Sequence, residues 1–182
     1  DKIKLTWLNL EDLKENIGPI INLKAKKHSV KINWSLLNKK RAFSDKISLE
    51  QIILNICTNG IEAMQNTPLS SRILNIKAVD VQIENKNYIE VIVSDRGCGI
   101  PINIAKNLFN PFVTYKTNGT GLGLSLCKTL SEKCLIDISH NKNPHDGTDF
   151  RILIPAFEQT NIPESFYFNT NPVGNDSSVG IL

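Results

Sequence analysis

Three polar side chains on one helical stripe are where chemistry first shows in this sequence. Over residues 46–65, Leu49, Ile52, Ile53, Ile56, Gly60, Ala63 and Met64 recur at the spacing of one helix face, with Leu54, Cys57 and Ile61 widening the apolar surface. The sector between them holds Gln51, Asn55, Thr58, Asn59, Glu62 and Gln65. Asn55, Asn59 and Glu62 stack on a single line, at spacings of four and three residues. By periodicity alone such a sector is a solvated face. Yet five of its six residues are uncharged, whereas solvated faces favour Lys, Glu and Arg. Two Asn inside a helix also cost propensity, because their amides compete for backbone partners. A line of amide oxygens suits a hard cation such as Mg²⁺, which takes oxygen ligands and keeps several waters.

Three further segments carry chemistry of their own. Asp95-Arg96-Gly97-Cys98-Gly99-Ile100-Pro101 follows an apolar strand pattern directly, so a fixed carboxylate stands beside backbone that a flat ligand can approach; an adenine amino group is a suitable donor to Asp95. Taken alone, it is also an ordinary strand-to-loop turn. Gly119-Thr120-Gly121-Leu122-Gly123-Leu124-Ser125 opens a helix, where exposed N–H groups and the helix dipole favour phosphates. It is neither a Walker loop, since no Gly-Lys-Ser/Thr follows, nor the Rossmann fingerprint, whose spacing differs. Asp146-Gly147-Thr148-Asp149-Phe150 is a turn signal in which Thr148 offers a hydroxyl.

The elements that must position these groups follow from pattern. Residues 3–7 and 41–44 read as short strands, and Val30, Ile32 and Trp34 alternate as another. Residues 10–27 read as a helix, with Lys24, Lys26 and Lys27 near its end and Pro19 expected to kink or break it. Residues 73–84 and 88–95 alternate around an expected turn at Asn85-Lys86-Asn87. Residues 96–120 read as loop, 121–134 as helix, and 135–140 and 148–155 as a last strand pair. Hairpins interleaved with helices predict an α+β fold: a two-layer α/β sandwich, one mixed sheet covered on one face by helices. Residues 1–155 form the expected domain, and residues 156–182, rich in Asn, Ser, Pro and Gly, an expected flexible tail or linker.

Bulk properties narrow the classes. The 182 residues are 41% hydrophobic and 21% charged, enough apolar material for one core. A net charge of +3 without a basic block gives no footprint for nucleic acid, and no apolar run approaches a membrane span or a signal peptide. The four cysteines form no Cys-x-x-Cys pair, and Cys57 and Cys127 fall in apolar helical patterns, so free thiols in a reducing, cytoplasmic setting are expected. His28, His140 and His145 follow no metal-ligand spacing and are expected on loops or at element ends. The chain starts at Asp1 with an apolar pattern already under way, which reads as a piece of a longer protein.

In this order and at these distances the segments resemble the GHKL ATP-binding superfamily, and within it the catalytic domains of sensor histidine kinases, over roughly residues 3–155. Gln51 to Met64 resembles the asparagine motif, Asp95-x-Gly97-x-Gly99 the first glycine motif, and Phe109-Asn-Pro111-Phe112 the phenylalanine motif. Thr114-Tyr-Lys116 leading into Gly119–Leu124 resembles a short nucleotide lid and the second glycine motif, and Gly147-Thr148-x-Phe150 ends the series. The resemblance implies a Bergerat-type sandwich binding ATP with Mg²⁺. It implies that Asn59 holds the metal with Asn55 close by, and that Asp95 receives the adenine amino group with Thr148 in support. Gly97 and Gly99 give the base room, and Gly119, Gly121 and Gly123 meet phosphates through the backbone. Thr114, Thr120 and Leu122 belong to the same nucleotide-binding segments, and Lys116 reaches a phosphate from the lid. Two positions depart from the pattern: Gly60 stands where relatives carry Ala, and Arg96 is bulkier than usual.

The resemblance also separates reactions. ATP-hydrolysing members and anti-sigma serine kinases carry a general-base Glu four residues before the metal-binding Asn, and here that residue is Asn55. An amide takes no proton at neutral pH, so water activation is poor, whereas a histidine acceptor brings its own nucleophile. Asn55, Asn59 and Lys116 are therefore expected to serve phosphotransfer to histidine. The alternative is a GHKL ATPase or protein serine kinase using Glu62 as base; a degenerate module is disfavoured by the intact glycines, Asn59 and Asp95. None of His28, His140 or His145 has the acceptor context. The expected partners are thus dimerisation and phosphoacceptor helices upstream of Asp1, and a response-regulator receiver domain. Nucleic acid and direct membrane contact are not expected, and whether the parent is membrane-anchored stays open.

Overall fold

The computed structural model describes residues 3–35, 39–114 and 119–157. Its elements run β1 (Leu5–Asn9), α1 (Leu10–Lys27), β2 (Lys31–Ser35), β3 (Arg41–Asp45), α2 (Lys46–Ala63), β4 (Ile73–Ile83), β5 (Lys86–Ser94), α3 (Ile102–Ala105), α4 (Gly123–Lys133), β6 (Asp137–Lys142) and β7 (Thr148–Pro155). Five strands form a mixed sheet in the order β2-β4-β5-β7-β6. Only β2 and β4 pair in parallel, as the long crossover through β3 and α2 between them allows. β1 and β3 pair antiparallel as a separate two-stranded sheet, which the strand patterns did not anticipate.

Alternation assigns the two faces of the large sheet. Leu74, Ile76 and Ala78 of β4, Ile89, Val91 and Val93 of β5, and Phe150, Ile152 and Ile154 of β7 are buried. They form one core with Leu13, Ile17 and Ile21 of α1, Leu49, Ile52, Ile53 and Ile56 of α2, and Cys127 of α4. Each fully buried Ile or Leu contributes about 1.5–3 kcal/mol. The opposite face is polar, with Arg151 paired to Glu90 at 2.9 Å, Asn33 donating to Asn75 at 2.9 Å, and Ser94 bonded to Asp149. The expected sandwich, with helices on one face, is therefore present.

Local departures have physical reasons. α1 runs unbroken through Pro19, which lies on its exposed side, where the carbonyl left without a partner faces water. The hairpin turn is Glu84-Asn85, both with positive φ (49° and 62°), a geometry that matches strand twist; Lys86 and Asn87 already belong to β5. α3 adds a short turn of helix within the expected loop. His140 lies inside β6 rather than at an end, its ring between those of Phe109 and Phe150 and its Nε2 3.2 Å from the Ala105 carbonyl oxygen. Of the tail, only Ala156 and Phe157 are described: Ala156 N–H donates to the Asn87 carbonyl at 2.9 Å, and the Phe157 ring packs edge-on against Tyr88.

The ends of the two long helices are fixed by single residues. Arg72 donates to the carbonyls of His28, Gln65 and Thr67 at 2.7–2.8 Å, tying the C-terminal ends of α1 and α2 together. Asp45 caps α2: one carboxylate oxygen accepts from Ser48 N–H and the other from Lys4 N–H, both at 2.9 Å. Burial pushes the Asp45 carboxyl up, but these hydrogen bonds outweigh it and hold the group below the ordinary 3.8. Asp45→Ala is expected to lower stability by about 1–2 kcal/mol in urea unfolding, and Asp45→Asn by less. Because the folded group is the stronger acid, its charge stabilises the fold above pH 3.8 and ceases to do so as pH falls through the lower folded value. The gap between wild type and Asp45→Asn should close over that acid range.

Candidate functional site

α2 presents its polar stripe to a cavity of about 290 Å³ between α2, the end of β5, the loop after α3, the start of α4 and the start of β7. Asn55, Thr58, Asn59, Glu62 and Ala63 form one wall; Asp95 and Thr148 form the floor; Thr114, Gly119, Thr120, Gly121 and Gly123 form the far side. Ile100, Leu108, Val113, Leu124 and Phe150 supply an apolar lining that fits a flat ring. Motifs separated by up to about a hundred residues thus converge on one pocket. Among its described lining residues the charged groups are the two carboxylates, Glu62 and Asp95.

Asp95 is only 3% exposed, and its geometry is enforced on several sides. Its Oδ1 accepts from Gly97 N–H at 2.8 Å and from Thr148 N–H at 3.2 Å, while its own N–H donates to the Thr148 carbonyl at 3.0 Å. The support from Thr148 is therefore made by its backbone. Asn143, not singled out from sequence, completes the frame. Its Nδ2 donates to the Asp95 carbonyl at 2.7 Å, and its Oδ1 accepts from Gly147 N–H at 3.1 Å and His145 N–H at 3.0 Å. An Asn opening a turn was the available signal, but its reach to Asp95 depends on the fold.

The glycines divide by what surrounds them. Gly97 and Gly99 lie beside the cavity rather than in its lining. A Cβ on Gly97 would come within 2.7 Å of the Ala63 carbonyl oxygen, and one on Gly99, whose φ is +70°, within 2.7 Å of the Asp146 carbonyl oxygen. In this structure both permit close backbone approach, of the loop to α2 and to the 143–147 turn. Gly121 has φ +68° and rests on the backbone of Phe112, whose N–H donates to the Gly121 carbonyl at 3.1 Å. The second glycine segment and the Phe109–Phe112 segment are thereby coupled. Gly123, the first residue of α4, leaves its surroundings open, with the Asn55 amide oxygen nearest at 4.0 Å from a Cβ. Leu122 points away from the cavity into a groove with Phe109, Pro111 and Leu126. Lys116 lies outside the described residues.

The amide oxygens of Asn55 and Asn59 at the cavity wall are suitable donors to Mg²⁺. No group of three His, Cys, Asp or Glu forms a cage among the described residues, so further oxygens must come from ligand and water. Cys57, Cys127 and Cys134 are buried and Cys98 is exposed; burial pushes the Cys127 thiol up to about 11. No helix among the described residues is long and apolar enough to cross a membrane.

Residues 44–158 match the family model described as histidine kinase-, DNA gyrase B-, and HSP90-like ATPase. The sensor protein TdiS of Thauera aromatica is 28% identical over 81% of this chain and 27% of its own length. The chain spans about a third or less of the curated relatives it matches. Among solved structures, the nucleotide-free catalytic domain of histidine kinase ThkA is 29% identical, with a TM-score of 0.64 over 84% of this chain and 95% of that one. Full-length ShkA in complex with AMPPNP has the same fold at 21% identity, with a TM-score of 0.69 over 85% of this chain and 32% of that one. With its motif residues gathered at one pocket, the chain belongs to the family of histidine kinase-, DNA gyrase B- and HSP90-like ATPases, as an ATP-binding catalytic domain of the sensor histidine kinase type.

Proposed function

We propose that this domain transfers the γ-phosphoryl group of ATP to a histidine on an upstream helical dimerisation domain of its parent protein, for relay to a response-regulator receiver. The observation that carries the reading is Asn55, an amide where hydrolytic relatives place a basic carboxylate, on the cavity wall in line with Asn59. Adenine stacks against Ile100, Leu108 and Phe150 and donates its amino group to Asp95. The phosphates lie toward Asn55, Asn59 and the N–H groups at the start of α4, with Lys116 contributing from the lid. Asn59, with Asn55 beside it, holds Mg²⁺, which when bound neutralises phosphate charge. An acceptor imidazole nitrogen then bonds to the γ-phosphorus as the bond to the β–γ bridging oxygen breaks. ADP leaves, and the imidazole N–H proton passes to solvent. The apolar groove beside Leu122 and the exposed Phe112 and Leu126 offer the acceptor helices a surface at the cavity mouth. Cytoplasmic ATP makes the cytoplasm the working compartment.

The alternative, hydrolysis with Glu62 as base, is weakened by the Lys24 ammonium, which sits 2.6 Å from Glu62 Oε1 and occupies the oxygen a water would have to approach. With labelled ATP, the chain alone should remain unlabelled and release phosphate very slowly; adding the parent's upstream helical domain should give an acid-labile phosphohistidine on the added piece. Brisk hydrolysis by the chain alone would reverse this reading in favour of the ATPase.

A further inference from the structure

We propose that Lys24 acts as the counter-charge for Glu62 at the cavity wall and so sets the preference of the pocket for multiply phosphorylated nucleotides. The inference rests on the nucleotide reading above and adds a positioning residue outside every motif. Lys24 lies in the last turn of α1, and its ammonium meets Glu62 Oε1 at 2.6 Å across the α1–α2 interface. Glu62 belongs to the cavity lining, one turn along α2 from Asn59.

A carboxylate in that wall repels a polyphosphate. Asp95 adds a second negative charge, and no Lys or Arg stands among the described lining residues. The ammonium of Lys24 converts Glu62 from an isolated anion into a pair with no net charge. The helices are held at the right separation for this by two independent ties: Asn16 donates to Glu50 at 2.9 Å near their N-terminal halves, and Arg72 bridges their C-terminal ends. The side chains of Lys24 and Glu62 are 35% and 32% exposed, so the pair is partly screened and its influence should weaken with salt.

The role has a signature that a merely structural pair lacks: the effect must scale with ligand charge. Calorimetric titration of the full chain with adenosine, Mg-ADP and Mg-ATP, at low and moderate salt, reads it directly. Lys24→Met keeps the apolar stem and removes the charge. It should weaken Mg-ATP binding about three- to tenfold at low salt, Mg-ADP less, and adenosine not at all. Glu62→Gln alone should not weaken Mg-ATP, and the Lys24→Met/Glu62→Gln double variant should return affinity toward wild type. Equal weakening of all three ligands by Lys24→Met, no weakening, or a double variant no better than Lys24→Met would overturn the assignment. A wild-type chain that binds neither Mg-ADP nor Mg-ATP would overturn the nucleotide reading itself, a result distinct from any of these.

Discussion

Replacing Asn59 with alanine should reduce Mg²⁺-dependent phosphotransfer to a supplied acceptor domain by about a hundredfold or more, while leaving adenosine binding nearly unchanged. The argument starts from the position of the side chain. Asn59 is one turn from Asn55 on the stripe of α2 that forms the cavity wall, whereas the adenine acceptor, Asp95, is held by a different set of contacts from β7 and Asn143. Loss of the amide oxygen therefore removes a metal ligand without touching the base. Nor should the helix suffer. Alanine has higher helix propensity than asparagine, so thermal unfolding of the variant should match or exceed wild type. Asn59→Asp, which keeps an oxygen ligand, should retain part of the metal dependence. Transfer by Asn59→Ala at the wild-type rate would remove Asn59 from the metal site.

What could be read from sequence, and what could not, follows the range of the interactions. The stripe on α2 was legible because helical period relates residues three and four apart, and the pocket lining now contains Asn55, Asn59 and Glu62 together. The acidic residue at the end of β5 was legible for a similar reason: Asp95 is followed at once by the turn that fixes it. The mixed sheet and its helical layer came from alternation and length. Interactions across the fold were hidden. Asn143 is separated by 48 residues from the carbonyl it grips, and Lys24 by 38 from the carboxylate it neutralises. Gly97 was assigned room for a ligand, yet its nearest neighbour here is the backbone of Ala63. Pro19 was expected to interrupt α1, but its place on the solvent side decided the matter, and exposure of a face is a tertiary property. The shift of the hairpin turn to Glu84-Asn85 reflects a competition between two Asn positions that strand register settles.

Gly147→Ala should be the most damaging of the small substitutions, and damaging in stability and binding together. A Cβ at this position would overlap the Asp95 carbonyl oxygen, with the Asp95 carbonyl carbon and Oδ1 both at 2.8 Å. The obstacle is mainly backbone at the end of a central strand, so no side-chain rotation removes it. The 143–147 turn would have to retreat, and the same movement breaks the bonds that frame the site: Asn143 Nδ2 to the Asp95 carbonyl, Gly147 N–H to Asn143 Oδ1, and Thr148 N–H to Asp95 Oδ1. Overpacking plus broken buried hydrogen bonds implies a loss of about 2–4 kcal/mol in urea unfolding. A displaced Asp95 carboxylate no longer meets the adenine amino group, so ATP affinity should fall more than about tenfold even where the variant is fully folded. Gly60→Ala is the informative contrast. Its Cβ would meet the Leu74 Cδ1 methyl at 2.8 Å, a flexible side-chain end, and Asp95 Cβ at 3.3 Å. Helix propensity favours the change by about 1 kcal/mol, so repacking of Leu74 should leave net stability close to wild type. Paired unfolding and ATP titrations of the two variants separate the cases. A Gly147→Ala chain as stable and as tightly binding as Gly60→Ala would mean that the Asp95–Asn143–Thr148 frame does not hold the adenine acceptor.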